Sequence, residues 1–318
     1  MPYQGQLVII IVTKRFYEKN MKKFCGFFVL LINVLNCFGL PRESKADDRQ
    51  HEVLLNNGAV MLKYPVILVH GIVAHDRGGF MEFWGRIPDV LREAGIKVFY
   101  GNTDAWGNYQ SNAELLRETV ENVLSETKSE KVNLIAHSKG GIDSRYLIWK
   151  YDFGDKIASL TTICTPHHGS EIADLIYSGK IIHSNIAKKA LAIFGDFYGD
   201  INPDMYNVNY QLTSGQMKEF NEKISMDHRV FYQSLYTTMS NSLDHLVFFY
   251  SYRYLKYISG DNDGLVSERS AQWGNTIKKI KGGISHAEIL DYKKHIVSGI
   301  DIPGIYVQIV KDLSEKGF

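Results

Sequence analysis

The stretch Val132-Asn133-Leu134-Ile135-Ala136-His137-Ser138-Lys139-Gly140-Gly141 constrains what this chain can fold into more than any other. Residues 132–136 form an apolar run of the kind that fills a strand buried on both faces, and residues 140–150 carry a helical pattern. A strand that becomes a helix across one residue forces that residue into a strained backbone conformation. The residues two before and two after it must be small, because larger side chains would collide. Here they are Ala136 and Gly140, with alanine in place of the first glycine of the usual small-x-Ser-x-Gly pattern. Such a turn lifts the Ser138 Oγ above the edge of a parallel sheet.

The rest of the chain supplies that sheet. From Tyr64 onward, apolar runs alternate with helical patterns, the mark of βαβ units. Strands are expected at Val66–His70, Lys97–Tyr100, Val132–Ala136, Ile157–Cys164, Arg229–Tyr236 and Ile277–Ile284. Helices are expected at Phe80–Glu93, Asn112–Thr127, Gly140–Lys150 and Tyr306–Leu313. Between about 170 and 228 the pattern loosens into helical pieces at Glu171–Ile176, Asn185–Phe197 and Gln216–Ile224. This reads as a helical insertion over the sheet, a lid or cap, within a single domain spanning 47–318. No internal repeat or low-complexity segment is present.

A serine hydroxyl needs a base, an acid to orient the base, and donors for the oxyanion. The residue after a strand-ending His-Gly pair commonly offers its backbone N–H, so His70-Gly71 points to Ile72 as one donor. Lys139, directly after the serine at a helix N-terminus, supplies the other. In this arrangement the acid and then the base follow the serine along the chain. Gly260-Asp261-Asn262-Asp263-Gly264-Leu265-Val266 offers two aspartates; Gly264 and the apolar pair behind it favour Asp263, with Asp261 the alternative. His286, on a loop after the last strand-like run and a Gly282-Gly283 break, is the expected base. His295, in a lysine-rich segment, reads as solvated, and His228 and His245 as structural.

The first 46 residues look like targeting rather than fold. Met21-Lys22-Lys23 precedes an apolar run from Phe24 to Leu35, a charged and then apolar pair of regions of signal-peptide length. Met21 is an alternative start. Cleavage after Ser44-Lys45-Ala46 competes with a loose lipoprotein box at Val34-Leu35-Asn36-Cys37, and an uncleaved anchor helix is the alternative to both. The expectation is export, as a secreted, periplasmic or lipid-anchored protein. Cys25 and Cys37 fall in this region, which leaves Cys164 alone in the body, as inert packing at a strand end. A net charge of +1 over 318 residues gives no field for nucleic acid. The chain is expected to be a monomer.

Five ordered blocks, PVILVHG, NLIAHSKGG, TTICTPHHGS, NDGLVS and GISHAEILD, together resemble the bacterial true lipases, exported triacylglycerol lipases and close esterases. The resemblance runs from about Tyr64 to the C-terminus. It implies an α/β-hydrolase fold, a mostly parallel sheet with flanking helices and a helical lid. It implies Ser138, Asp263 and His286 as the triad and Ile72 and Lys139 as oxyanion donors. It implies a lipid or ester substrate met at a lipid–water interface, with no cofactor for the chemistry. Many members of the family hold a structural calcium near the base; here the matching positions are Asp244 and, with glutamate replacing aspartate, Glu288. An acyltransferase, a short-chain carboxylesterase and a binding protein on the same scaffold are the alternative functions.

Overall fold

The computed structural model describes residues 60–72, 76, 83–179 and 200–318. Residues 1–46, expected to direct export, and the expected helix Asn185–Phe197 of the insertion lie outside the described residues. The strands are β1 (Val66–Val69), β2 (Val98–Tyr100), β3 (Val132–His137), β4 (Ile157–Ile163), β5 (Phe231–Thr237) and β6 (Thr276–Ile280). They form one sheet in the order β2-β1-β3-β4-β5-β6, and every pair is parallel. The chain steps outward from β1 to β2 and then returns to the far side of β1 for β3. That reversal opens a crevice at the carboxyl ends of β1 and β3, where open sheets of this kind hold their sites.

Period-two alternation divides the buried strands between two cores. Val66 and Leu68 of β1 and Ile135 of β3 face one side, where α1 (Ile87–Glu93) and the closing helix α9 (Ile302–Glu315) cover them. Ile67, Val69, Leu134 and Ala136 face the other, against α2 (Tyr109–Thr127) and α3 (Lys139–Tyr151). Helix α1 begins later than the sequence pattern suggests, because Gly85 takes a φ of +49° and Pro88 favours the first turn. Strand β6 stops at Ile280, short of the expected Ile284, since Gly282 and Gly283 have φ of +126° and +69°. As an edge strand it exposes Lys278 and Lys279, which pair with Asp312 and Glu268.

Between β4 and β5 lie α4 (Glu171–Tyr177), α5 (Met205–Gln211) and α6 (Ser214–Lys223). Ile142 on α3 packs with Val208, Met217 and Phe220 and so seats this insertion on the helix that follows Ser138. Arg145, also on α3, lies 3.9 Å from the ring centre of Trp273 and donates to Asn221 Oδ1 at 2.8 Å. Burial lowers its pKa to about 9. After β5 come α7 (Phe249–Ile258) and the short α8 (Glu268–Ala271).

The middle of the insertion is tied to the segment after β2 by two aspartates that cap each other's backbone. Asp104 accepts the N–H groups of Ile201 and Asn202 at 2.8 and 2.7 Å, while Asp200 accepts those of Ala105 and Trp106 at 2.9 and 2.8 Å. A hydrogen bond to a charged acceptor contributes a net of about 1.5–3 kcal/mol, and in a variant water takes over part of it at a site that solvent reaches. Asp104→Ala is therefore expected to lower unfolding stability by about 1–3 kcal/mol in urea titration. An unchanged midpoint would show that the clamp carries no weight.

Candidate active site

Ser138 follows β3 directly and sits at φ 53°, ψ −128°, a conformation that non-glycine residues adopt only where the surroundings impose it. Its N–H is still held by the sheet, through Ile163 O at 2.9 Å. The small neighbours have definite reasons. A Cβ on Gly140 would lie 2.7 Å from Val69 O and closer still to His70 O, so the first turn of α3 presses against the end of β1. A Cβ on Gly71 would lie 2.8 Å from Ser138 Cβ. The backbone carrying Ile72 thus reaches the serine, and Ile72 itself packs beside Ala105, Trp106 and Met205. Lys139 opens α3, so its N–H belongs to the first turn, which has no acceptor within the helix.

His286 stands against Ser138, with Nε2 and Oγ 3.0 Å apart. On its other side Nδ1 lies 2.7 Å from Asp263 Oδ2. A carboxylate only accepts, so Nδ1 carries the proton and Nε2 is left to accept from the serine hydroxyl. Asp263 is buried, and its Oδ1 accepts the N–H groups of Leu265 and Val266 at 3.0 and 2.8 Å. The turn is tight because Gly264, at φ +101°, lies where a Cβ would meet Phe248 Cβ at 2.6 Å. His286 N–H donates to Asp263 O at 2.8 Å, which binds the two loops together. Asp261 is half exposed and pairs instead with Lys256 and Lys279.

The other histidines separate clearly. His295 is exposed, with Nδ1 3.3 Å from Lys293 O. His228, read as structural, is 94% exposed, with Nδ1 4.0 Å from Asp227 Oδ1. His245 is buried, stacked on Phe248, and bonded through Nε2 to the Tyr292 hydroxyl at 2.8 Å. Burial first, and then the charge of Lys293, push it down to about 4. Cys164 is fully buried at φ +52°, 3.4 Å from Thr237 Oγ1, and burial raises its thiol.

Three features escape a motif reading. His137, next to the serine, donates from Nε2 to His286 O at 3.0 Å and so ties the loop of one residue to the strand of the other. Burial, and then the charge of His286, hold its pKa well below the ordinary value, so its single proton stays on Nε2. Its place beside Ser138 was a signal, but its partner lies 149 positions away. His70 spans from Gly71 O at 2.6 Å to Thr103 O at 2.8 Å and braces the end of β1. Lys139 carries a side chain that is buried as well: Nζ meets Asp143 Oδ1 and Oδ2 at 2.7 and 2.8 Å, an i,i+4 pair visible in the sequence. Burial pulls Lys139 down and Asp143 up, each toward neutrality, and their mutual attraction opposes both shifts.

Losing one partner of a buried pair costs about 3–5 kcal/mol, whereas exchanging both for apolar residues is often neutral. Asp143→Ala should therefore lower stability by about 3–5 kcal/mol, and Lys139→Met with Asp143→Leu by far less. Denaturant unfolding of both variants checks this; equal losses would mean that the pair is not energetically coupled.

A family model described as palmitoyl protein thioesterase matches residues 65–282. Triacylglycerol lipase 2 of Saccharomyces cerevisiae is 30% identical over 264 residues, covering 75% of this chain and 75% of the relative. A triacylglycerol lipase of Pseudarthrobacter phenanthrenivorans is 33% identical over 171 residues, 50% of this chain and 53% of that protein. The chain thus spans about half the length of this bacterial relative and three quarters of the yeast one. The crystal structure of the mature Bacillus licheniformis lipase shares the fold, with TM-score 0.58 and 22% identity over 80% of this chain and 94% of that one. The extent of the family match and of the yeast alignment places this chain among the lipases of the α/β-hydrolase fold, a family of ester hydrolases to which it belongs.

Proposed function

We propose that this ester hydrolase cleaves esters of fatty acids, triacylglycerols among them, through a Ser138–His286–Asp263 triad and an acyl-enzyme. The observation that carries this reading is the hydrogen-bonded line from Ser138 Oγ through the His286 imidazole to the Asp263 carboxylate. Ser138 Oγ attacks the ester carbonyl carbon while His286 Nε2 takes its proton. The carbonyl oxygen becomes an oxyanion, stabilised by the N–H groups of Ile72 and Lys139. As the intermediate collapses the C–O bond breaks, and the alcohol leaves with the proton from His286. Water then attacks the acyl-enzyme, gives its proton to His286, and the fatty acid departs as Ser138 recovers its hydrogen. Asp263 holds the imidazole in its working tautomer throughout.

A fatty acyl group is supported from two directions. The similar yeast and bacterial proteins are named for triacylglycerol, and the family description names a palmitoyl group. These differ in the leaving group and agree on the acyl part. Rates on p-nitrophenyl esters from acetyl to palmitoyl, with a palmitoyl thioester alongside, test this. Activity confined to the shortest esters would leave a short-chain carboxylesterase, and acyl transfer to an added alcohol in preference to water would leave a transferase. Export through residues 1–46 is part of the proposal. It is compatible with the described residues, none of whose helices is long and apolar enough to cross a membrane. Fractionation of the producing cell tests it.

Ser138→Ala should reduce turnover on the order of a million-fold without loss of fold. His286→Ala should match it, while His295→Ala stays within about twofold of wild type. Asp263→Asn should cost roughly ten-thousand-fold through the wrong imidazole tautomer, and Asp261→Asn little. Initial rates on a p-nitrophenyl ester check all five. A reversed order within the histidine or aspartate pair would reassign that role.

A further inference from the structure

The turn that presents His286 is closed by charges of the chain itself. Glu288, a buried residue, directs Oε2 back to accept the N–H of Ser285 at 3.2 Å and its hydroxyl at 2.8 Å. Lys293 Nζ lies 3.4 Å from the other oxygen, Oε1. Further along the same turn Asp291 accepts Arg86 Nε and Nη2 at 2.8 and 2.6 Å and the Arg86 backbone N–H at 2.9 Å. Each carboxylate of the turn therefore meets a cation from a side chain.

This arrangement does not fit the calcium that the resemblance implies at Asp244 and Glu288. Calcium takes six to eight oxygen ligands. Asp244 commits Oδ2 to the N–H groups of Ser240 and Asn241, at 2.5 and 3.0 Å, and Oδ1 to the Asn241 amide at 2.7 Å. It thereby closes its own loop. Glu288 has one oxygen on Ser285 and the other beside an ammonium, which a divalent cation would repel. Among the described residues no third carboxylate, histidine or cysteine gathers with these two; the one group of that kind is Cys164, Asp263 and His286.

We propose that Lys293 is a positioning residue that takes over the work of a structural cation: its ammonium holds Glu288, Glu288 holds Ser285, and the adjacent His286 is fixed without calcium. A divalent ion contributes stability only by binding the folded state more tightly than the unfolded one. Chelation by EDTA, or millimolar calcium chloride, is accordingly expected to move the melting temperature of the wild-type protein by no more than about 1 °C. Lys293→Gln should lower kcat about tenfold with KM nearly unchanged, because misplacing the base affects the transition state and not substrate binding. Lys293→Arg should restore most of the loss.

The kinetic arm rests on the proposed role of His286, whereas the melting arm does not. An inactive wild type whose melting point ignores chelator would remove the proposed function and leave the calcium-free turn standing. A drop of several degrees in EDTA, recovered by calcium, would overturn the inference. So would a Lys293→Gln variant with wild-type kcat, or an arginine variant no better than glutamine. The melting measurement needs no variant, so the inference stays testable even if Lys293→Gln fails to fold.

Discussion

The carboxyl end of the sheet depends on how closely two backbones approach. The carbonyls that end β1 touch the first turn of α3 at Gly140, and Gly71 touches Ser138, where in both places a single methyl group would not fit. Contact at that distance fixes the serine, the N–H of Lys139 and the backbone around Ile72 as one rigid unit. The strain of Ser138 at φ 53° persists because strand pairing on one side and helix packing on the other over-determine it. Remove the contact, and neither the elbow nor the geometry proposed for the oxyanion has a reason to hold.

A second layer of order comes from polar groups that the cores enclose. Asn112 on α2 donates to Asp143 Oδ2 and to Asp104 O, both at 2.9 Å, and accepts from Asp104 N–H at 3.1 Å. Asp143 holds Lys139, and Asp104 holds the backbone of residues 201 and 202. A continuous polar chain therefore joins the middle of the insertion, through α2, to the residue after Ser138. Buried networks of this kind stabilise only when every member is satisfied, so a change at one end is felt at the other.

Much of this was legible in the residues, for a physical reason that differs from part to part. Parallel strands covered on both faces must be apolar throughout, so β1, β3 and β4 stand out, and the elbow is legible because its steric demands are local. Asp263 and His286 were readable from glycine-bounded turns placed after strand-like runs. Helix α7 was not: FYSYRYLKYI is rich in aromatic and bulky residues that favour strands, and only Ser251, Tyr252 and Leu255 of it are buried. Helix α5 was lost for the same want of a clear apolar stripe, since only Met205 and Val208 turn inward. The Arg86–Asp291 pair, 205 positions apart, left no local trace. Calcium positions were suggested by resemblance, but the partners of Asp244 and Glu288 are set by side chains that the matching motif does not include.

The distance along the chain between Ser138 and His286 is 148 positions, and β4, the insertion, β5 and β6 must all be laid down between them. Closing so long a loop is paid for only after those strands have docked, because non-local contacts reward the chain late. Neither residue meets its partner in any shorter piece of the polypeptide. The Ser138–His286 contact therefore exists only once both ends of the sheet are in place, and a growing chain holds the serine without the histidine beside it.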